Sequence, residues 1–295
     1  PMPADLLELG CWIARYYLAP LGPTLSSMVP APVKRGVGIV QKRYLEPAPT
    51  PGELPRLGPA QKQVLQTINE LPAEELPIER GLLRETAGIS TNSPIDGLVK
   101  KKLLIEHRRT SIETKWTAKH LDAPATPTPT DEQATLVSDV IDALDTAFSV
   151  HLLRGVTGSG KTEVYLRVIA ETLARGRTVL VLVPEIALTP QTAARLAHRF
   201  PHEHVAIVHS ALPAAARNAH WEATRSGEAR IVLGARSAVF APFQAGSLGL
   251  IVVDEEHDGS FKQDSNPRYH GRDVAIRRAQ ISKCPVLLCS ATPSL

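Results

Sequence analysis

The chain lacks the material for a disulfide scaffold, a membrane anchor or a cysteine-rich metal site. Only three cysteines occur in 295 residues, and Cys11, Cys284 and Cys289 show no ligand spacing. Cys284 and Cys289 flank an apolar run and read as packed thiols. No apolar stretch approaches the ~20 residues that a membrane span needs. The longest, residues 248–253, is interrupted by Gly249 and has the length of a strand. Asp5 and Glu8 stand where a secretory signal would carry basic residues. No internal repeat is visible. These absences exclude secreted disulfide-rich and membrane-spanning classes and lead to the expectation of a reducing, cytoplasmic compartment.

What is present is a globular composition, 43% apolar and 21% charged, at a length that suggests about two domains. One motif dominates. Residues 155–162 read G-V-T-G-S-G-K-T, a full match to the phosphate-binding loop G-x-x-x-x-G-K-[ST]. The apolar run 150–153 precedes it, and Val164, Leu166, Val168 and Ile169 follow at helical spacing. Strand, glycine loop and helix are the context the motif requires. Gly155, Gly158 and Gly160 let backbone N–H groups turn inward on phosphate oxygens, with Val156, Thr157 and Ser159 completing the loop. The helix N-terminus adds partial positive charge at the same point. Lys161 is expected to reach the β- and γ-phosphates of ATP, and the Thr162 hydroxyl to ligate Mg²⁺.

The second anchor for the metal should be a carboxylate ending another buried strand. Asp254-Glu255-Glu256-His257 follows the apolar run 248–253 directly. Asp254 fits the Mg²⁺-holding group, and Glu255 the group that orients and activates water. Ser290-Ala291-Thr292 ends a further apolar strand. Taken in order, G-K-T, D-E-x-H and S-A-T resemble the first motor lobe of a superfamily 2 helicase or translocase. Gln133 sits where many such proteins carry an adenine-reading glutamine; read alone it is equally ordinary polar surface.

Two proline-rich stretches, residues 46–56 and 122–130, read as semi-rigid linkers. Residues 1–45 are expected to be the C-terminal tail of a truncated DNA-binding domain. Leu6, Leu7, Trp12, Ile13, Tyr16 and Tyr17 form a helical stripe there with no evident core to cover, ahead of an extended tail. Residues 57–121 read as a winged helix. Helices run through Val64, Leu65 and Ile68, then through Ile78, Leu82 and Leu83, with Gly88 in the turn. A third begins with Ser93 as cap and Pro94 at its first position. A hairpin of strands 103–106 and 112–116 turns around His107-Arg108-Arg109. Such a module binds DNA or serves as a scaffold. Lys100, Lys101, Lys102, Arg108 and Arg109 favour DNA, through phosphates. From residue 131 strand and helix alternate, so residues 131–295 are expected to form a RecA-like doubly wound parallel sheet, an α/β fold with nucleotide at the carboxyl ends of its strands.

The formal net charge is only +3, but residues 100–115 and 261–283 each hold six basic against two acidic residues. Both stretches are read as phosphate contacts rather than simply solvated faces.

Residues 155–165, 183–191 (V-P-E-I-A-L-T-P-Q), 234–242 (G-A-R-S-A-V-F-A-P), 254–258 (D-E-E-H-D) and 290–294 (S-A-T-P-S) resemble the motor motifs of the PriA family, the primosomal protein N-prime helicases. Residues 260–273 are similar to that family's aromatic-rich loop. The resemblance implies a 3′-to-5′ DNA helicase that recognises branched DNA and reloads the replication machinery. It implies that Thr189, Arg236 and Ser237 touch the single-stranded backbone, and that Phe261, Lys262, Arg268, Tyr269 and His270 sense DNA by stacking and phosphate contact. Ordinary packing is the other reading of Phe261 and Tyr269. His257, Ser290 and Thr292 would couple the ATP site to DNA. The resemblance also implies single-stranded DNA-binding protein and other primosome proteins as partners. The family's zinc-binding cysteines and arginine-bearing second lobe are expected after Leu295, and its 3′-end pocket mostly before Pro1. The competing readings are a restriction or repair translocase of superfamily 2 and a non-enzymatic, nucleotide-gated DNA-binding module.

Overall fold

The computed structural model describes residues 2–34, 41–49, 55–72, 76–110, 128–146, 148–156 and 158–293. Contacts divide the chain into two units, residues 1–38 with 112–295, and residues 39–111. The larger unit begins with helices α1 (Ala4–Tyr16), α2 (Leu21–Met28) and α3 (Ala31–Lys34).

The smaller unit follows as β1 (Gln41–Pro47), α4 (Pro59–Glu70), β2 (Ile78–Glu79), α5 (Arg80–Thr86), α6 (Ser93–Lys100) and β3 (Leu104–Thr110). Val64 and Ile68 of α4, Leu83 of α5, and Ile95 and Leu98 of α6 are fully buried together with Leu45. Apolar residues three and four apart face one way on each helix, so three short helices can share one core. Gly88 takes φ +60° in the turn after α5. The sheet order is β2-β1-β3, antiparallel, with Leu45 opposite both Ile78 and Glu106. Its central strand is a correction. Residues 41–47 read from sequence as extended tail and linker, yet they pair along the whole of β3. His107-Arg108-Arg109 continue β3 instead of turning, with Arg109 opposite Lys42. Asn92, not Ser93, occupies the cap position of α6. The second hairpin strand, residues 50–54 of the first linker and residues 122–127 of the second lie outside the described residues.

The chain then runs α7 (Asp131–Ala143), β4 (Val150–Arg154), α8 (Lys161–Ala174), β5 (Thr178–Leu182), α9 (Pro190–Arg199), β6 (His204–Val208), α10 (Ala214–Ser226), β7 (Ala229–Gly234), β8 (Leu248–Val253), α11 (Gly271–Ser282) and β9 (Val286–Ser290). Six strands form one parallel sheet in the order β4-β9-β8-β5-β7-β6. A strand covered on both faces needs no polar alternation, which is why β5, β8 and β9 read as unbroken apolar runs. The period of two sends Val179 and Val181 to the face covered by α7, α8 and α9. Leu180 and Leu182 point to the opposite face, under α1, α10 and α11. Because every strand runs the same way, the phosphate loop, the D-E-E-H turn and S-A-T all emerge at one edge.

The stripe on α1 has a core after all. Leu6, Leu9 and Ile13 are fully buried in the cluster beneath α11, and Met28 joins them. The fully buried Arg278 locks this arrangement. Its guanidinium donates to the carbonyls of Val239 and Ala241, the latter at 2.6 Å, lies 3.4 Å from Asp5, and sits over the Phe243 ring. Residues 2–34 therefore pack as part of the larger unit.

Candidate active site

The phosphate loop leaves β4 and enters α8 through Gly160, whose φ of +85° suits a residue without a side chain. An added Cβ there would fall 2.5 Å from Gln133 Nε2. Lys161 is buried at 7% exposure and donates to the carbonyls of Gly155 (2.7 Å) and Val156 (3.2 Å). Its ammonium also lies 3.9 Å from Glu255. Ser159 N–H donates to the Val156 carbonyl at 3.1 Å, so the loop is closed on itself. Gly155, Gly158, Ser159 and Thr162 stand around the same turn, and Thr157 lies outside the described residues.

Across the sheet edge, Asp254 ends β8, and its own N–H donates to the Leu182 carbonyl of β5 at 2.8 Å. Burial raises its carboxyl above the ordinary range, and the adjacent Glu255 carboxylate adds to that. Glu255 sits at φ +47°, a left-handed conformation that a side chain rarely adopts without compensation. This turn brings the Glu255 carboxylate within 3.8 Å of His257 as well as 3.9 Å of Lys161. The Thr162 hydroxyl and the Asp254 carboxylate are linked through Tyr165. Thr162 hydrogen-bonds the phenol, which donates to Asp254 at 3.4 Å. Tyr165 carried no assigned role in the sequence, although its place three residues after Thr162 puts both on one helix face. Hydroxyl and carboxylate oxygens are hard donors of the kind Mg²⁺ takes, and a half-buried pair of neighbouring carboxylates is a setting that a divalent cation relieves.

β9 joins these motifs. The Ser290 carbonyl accepts from Gly155 N–H at 3.1 Å, and the Cys289 carbonyl accepts from Glu256 N–H at 3.0 Å. Ser290 Oγ lies 2.7 Å from His257 Nδ1 and accepts from Thr292 N–H at 3.1 Å. His257, Ser290 and Thr292 are thus brought together. Burial holds the Cys289 thiol well above its ordinary range and pushes Cys284 up to about 12, so both are inert packed thiols.

Several residues expected at the surface are turned inward. Gln133 Oε1 accepts from Thr130 N–H at 3.0 Å in a capping box, while Nε2 donates to the Ser159 carbonyl at 2.9 Å. Each end of its amide thus makes one bond within the protein, keeping a second N–H and a second lone pair. Phe261 is completely buried, and Tyr269, at 3% exposure, packs edge-on against Phe240. A ring enclosed on its faces cannot stack on a base, so packing is the reading the structure supports for both. Arg236 holds the loop from behind, donating to the carbonyls of Ser260 (3.0 Å) and Lys262 and lying over the Tyr269 ring. His270 Nδ1 caps α11 by accepting from Arg272 N–H at 3.3 Å. Thr189 caps α9 by accepting from Thr192 N–H at 3.2 Å. Ser237, Lys262 and Arg268 remain exposed.

In the smaller unit Lys100, Lys101 and Lys102 are exposed, and Lys101 donates to the Arg56 carbonyl at 2.8 Å and to Gln61 at 3.1 Å. Arg108 and Arg109 lie on β3, with side chains outside the described residues. No helix among the described residues is long and apolar enough to cross a membrane.

Comparison with known proteins gives a family. The chain is 38% identical over 303 residues to replication restart protein PriA of Chlamydia pneumoniae, which covers all of this chain and 40% of that protein. It is 44% identical over 207 residues to the PriA of Bacillus subtilis, covering 70% of this chain and 25% of the relative. The PriA of Haemophilus influenzae is 37% identical over 292 residues, covering 96% and 38%. The chain therefore spans about two fifths or less of the length of these curated relatives. The DEAD/DEAH box helicase model matches residues 130–294, which hold the parallel sheet and every motif at its edge. The chain belongs to the DEAD/DEAH box helicase family.

Proposed function

We propose that this chain supplies the ATP-binding lobe and a winged-helix-type DNA-binding unit of a 3′-to-5′ DNA helicase of replication restart. The observation that carries the reading is the convergence of Lys161, Thr162, Asp254, Glu255, His257 and Ser290 at one edge of one parallel sheet. Similarity to PriA proteins across the whole chain favours this over a restriction or repair translocase. Branched and single-stranded DNA are the proposed substrates. Single-stranded DNA-binding protein and other primosome proteins are the proposed partners, and zinc belongs to the longer relatives' family rather than to these residues.

Loop amides and Lys161 bind the phosphates, with the lysine exchanging its carbonyl partners for phosphate oxygens. Magnesium held by Thr162 and Asp254 would draw charge from the transferred phosphoryl group. Glu255 accepts a proton from the attacking water, and its turn aims the carboxylate at the same space as Lys161. His257 and Ser290 link this edge to Thr292 and to whatever the exposed loop residues contact. Gln133 braces the phosphate loop.

A fluorescent ATP analogue and Mg²⁺ should bind the chain, and Lys161→Ala should abolish that binding while sparing DNA binding. Turnover by residues 1–295 should be slight with or without DNA. An arginine finger is worth roughly 10³ to 10⁵ in rate, and Arg154 and Arg236, the arginines nearest in sequence to the motifs, are not placed to act as one. Absence of nucleotide binding refutes the ATP site; vigorous DNA-stimulated turnover refutes the division of labour.

A further inference from the structure

We propose that Tyr165 is a positioning residue for Thr162 and Asp254, holding both so that they offer a divalent cation lone pairs and no hydrogen. The proposal rests on the ATP-site reading above. Tyr165 stands on α8 three residues after Thr162, and its phenol donates to Asp254 Oδ2 at 3.4 Å. Thr162 is its other hydrogen-bond partner. The ring is buried, in the core cluster that also holds Val181 of β5 and Val252 of β8. Its hydroxyl is therefore the polar tip of a core side chain, delivered from the core side to both residues expected to hold the metal.

The supply of hydrogens fixes the direction of this chain of bonds. An ionised carboxylate can only accept, so the phenolic hydrogen goes to Asp254. The phenol oxygen, its hydrogen spent, can only accept the hydrogen of the Thr162 hydroxyl. Thr162 is left with a lone pair to offer, which is what Mg²⁺ takes and what a freely rotating hydroxyl presents only part of the time. Asp254 is held at both oxygens, Oδ2 by Tyr165 and Oδ1 by Glu255 N–H at 3.1 Å. Each of its oxygens keeps a further lone pair. Partners standing behind a ligand in this way orient it, and losing one costs about 10- to 100-fold in metal affinity.

Packing alone does not ask for this hydroxyl. Phenylalanine would fill the same place among valines and leucines without burying a polar atom that then needs a partner. Both of the partners that the phenol has found are residues that the chemistry of the site requires.

The test uses the 295-residue chain, a fluorescent ATP analogue, and Mg²⁺ titrated in from an EDTA-buffered zero. Tyr165→Phe keeps the ring and removes only the hydroxyl. Without Mg²⁺ it should bind the analogue within about twofold of wild type, while the Mg²⁺ concentration that half-saturates the metal-dependent gain rises about 10- to 100-fold. Val168→Ala is the packing control, since Val168 is fully buried on the same helix and in the same cluster. It should lower the melting temperature and leave the Mg²⁺ half-saturation where it was. A rise in Val168→Ala equal to that in Tyr165→Phe would mean loosened packing and would overturn the proposal. So would a loss of analogue binding by Tyr165→Phe that is the same with and without Mg²⁺. An unchanged Mg²⁺ half-saturation in Tyr165→Phe would overturn it too and leave the hydroxyl as a satisfied core group. A wild-type chain that binds no analogue at any Mg²⁺ concentration would sink the ATP-site reading itself, a distinguishable outcome.

Discussion

Replacing Arg278 by alanine tests how the N-terminal helix is held on the sheet. The side chain is fully buried and serves two buried backbone carbonyls, Val239 and Ala241, together with Asp5 on α1. Alanine leaves both carbonyls without that donor, at about 1–3 kcal/mol each. Against this stands relief from burying a charge, which already pulls the Arg278 pKa down. The net cost should be about 3 kcal/mol, the lower end of the range for breaking a buried charged network. At roughly 2–4 °C per kcal/mol for a domain of this size, the melting temperature of the larger unit should fall by about 6–12 °C. Differential scanning calorimetry reads this directly. Asp5→Asn is the companion variant. It keeps the carbonyl contacts and weakens only a 3.4 Å, partly exposed pair, so it should cost less than about 1 kcal/mol. If Arg278→Ala costs no more than Asp5→Asn, the carbonyl contacts do not hold the helix and the reasoning fails.

Glu255→Gln should keep ATP-analogue affinity within about threefold and lower single-turnover hydrolysis by about 10² or more, since a neutral amide cannot take the proton; an unchanged single-turnover rate removes Glu255 from that role. Burial pushes His220 from 6.5 down to about 4. The unfolded chain binds a proton in that window and the fold does not, so stability is full above about pH 6.5 and falls by up to about 3 kcal/mol as pH drops towards 4. His220→Gln should flatten this acid limb in denaturant titrations, and an identical limb would exonerate the histidine. Charge reversal of Lys100, Lys101 and Lys102 to Glu should weaken DNA binding equally across sequences and reduce the slope of log K against log salt by about 2 to 3; an effect confined to one sequence would mean base readout instead.

The sheet was legible because its strands β5, β8 and β9 are buried on both faces and its loop chemistry is punctuated by glycine and carboxylate. Asp254 and Ser290 each end or follow such a strand, so the pattern that made the strand also placed the residue. The small unit was less legible at its first strand. Residues 41–47 include Pro47 and carry charge, because a short antiparallel strand with one open face has no reason to be apolar throughout. The direction of long side chains was illegible. Gln133, Arg236 and Tyr269 occupy the expected stretches, yet each points into the protein, and only packing partners many residues away decide that. Tyr17 reads only as part of a helical stripe for the same reason: its hydrogen-bond partners, His270 and Asp273, are more than 250 residues distant.

The position of β9 gives the site its unity. It lies between β4 and β8, so its last residues stand beside both the phosphate loop and the acidic turn. Its backbone takes a bond from each, Gly155 N–H on Ser290 and Glu256 N–H on Cys289, while the Ser290 hydroxyl meets His257. The phosphate loop and the D-E-E-H turn are therefore bonded to the same two neighbouring residues, Cys289 and Ser290. Glu256, in turn, is held by Arg272 at the start of α11, beside the exposed loop and the end of α1. Two short paths thus meet at the end of β9, one from the nucleotide side and one from the surface. Coupling between them needs no long-range wire, because the strand order has already made them neighbours.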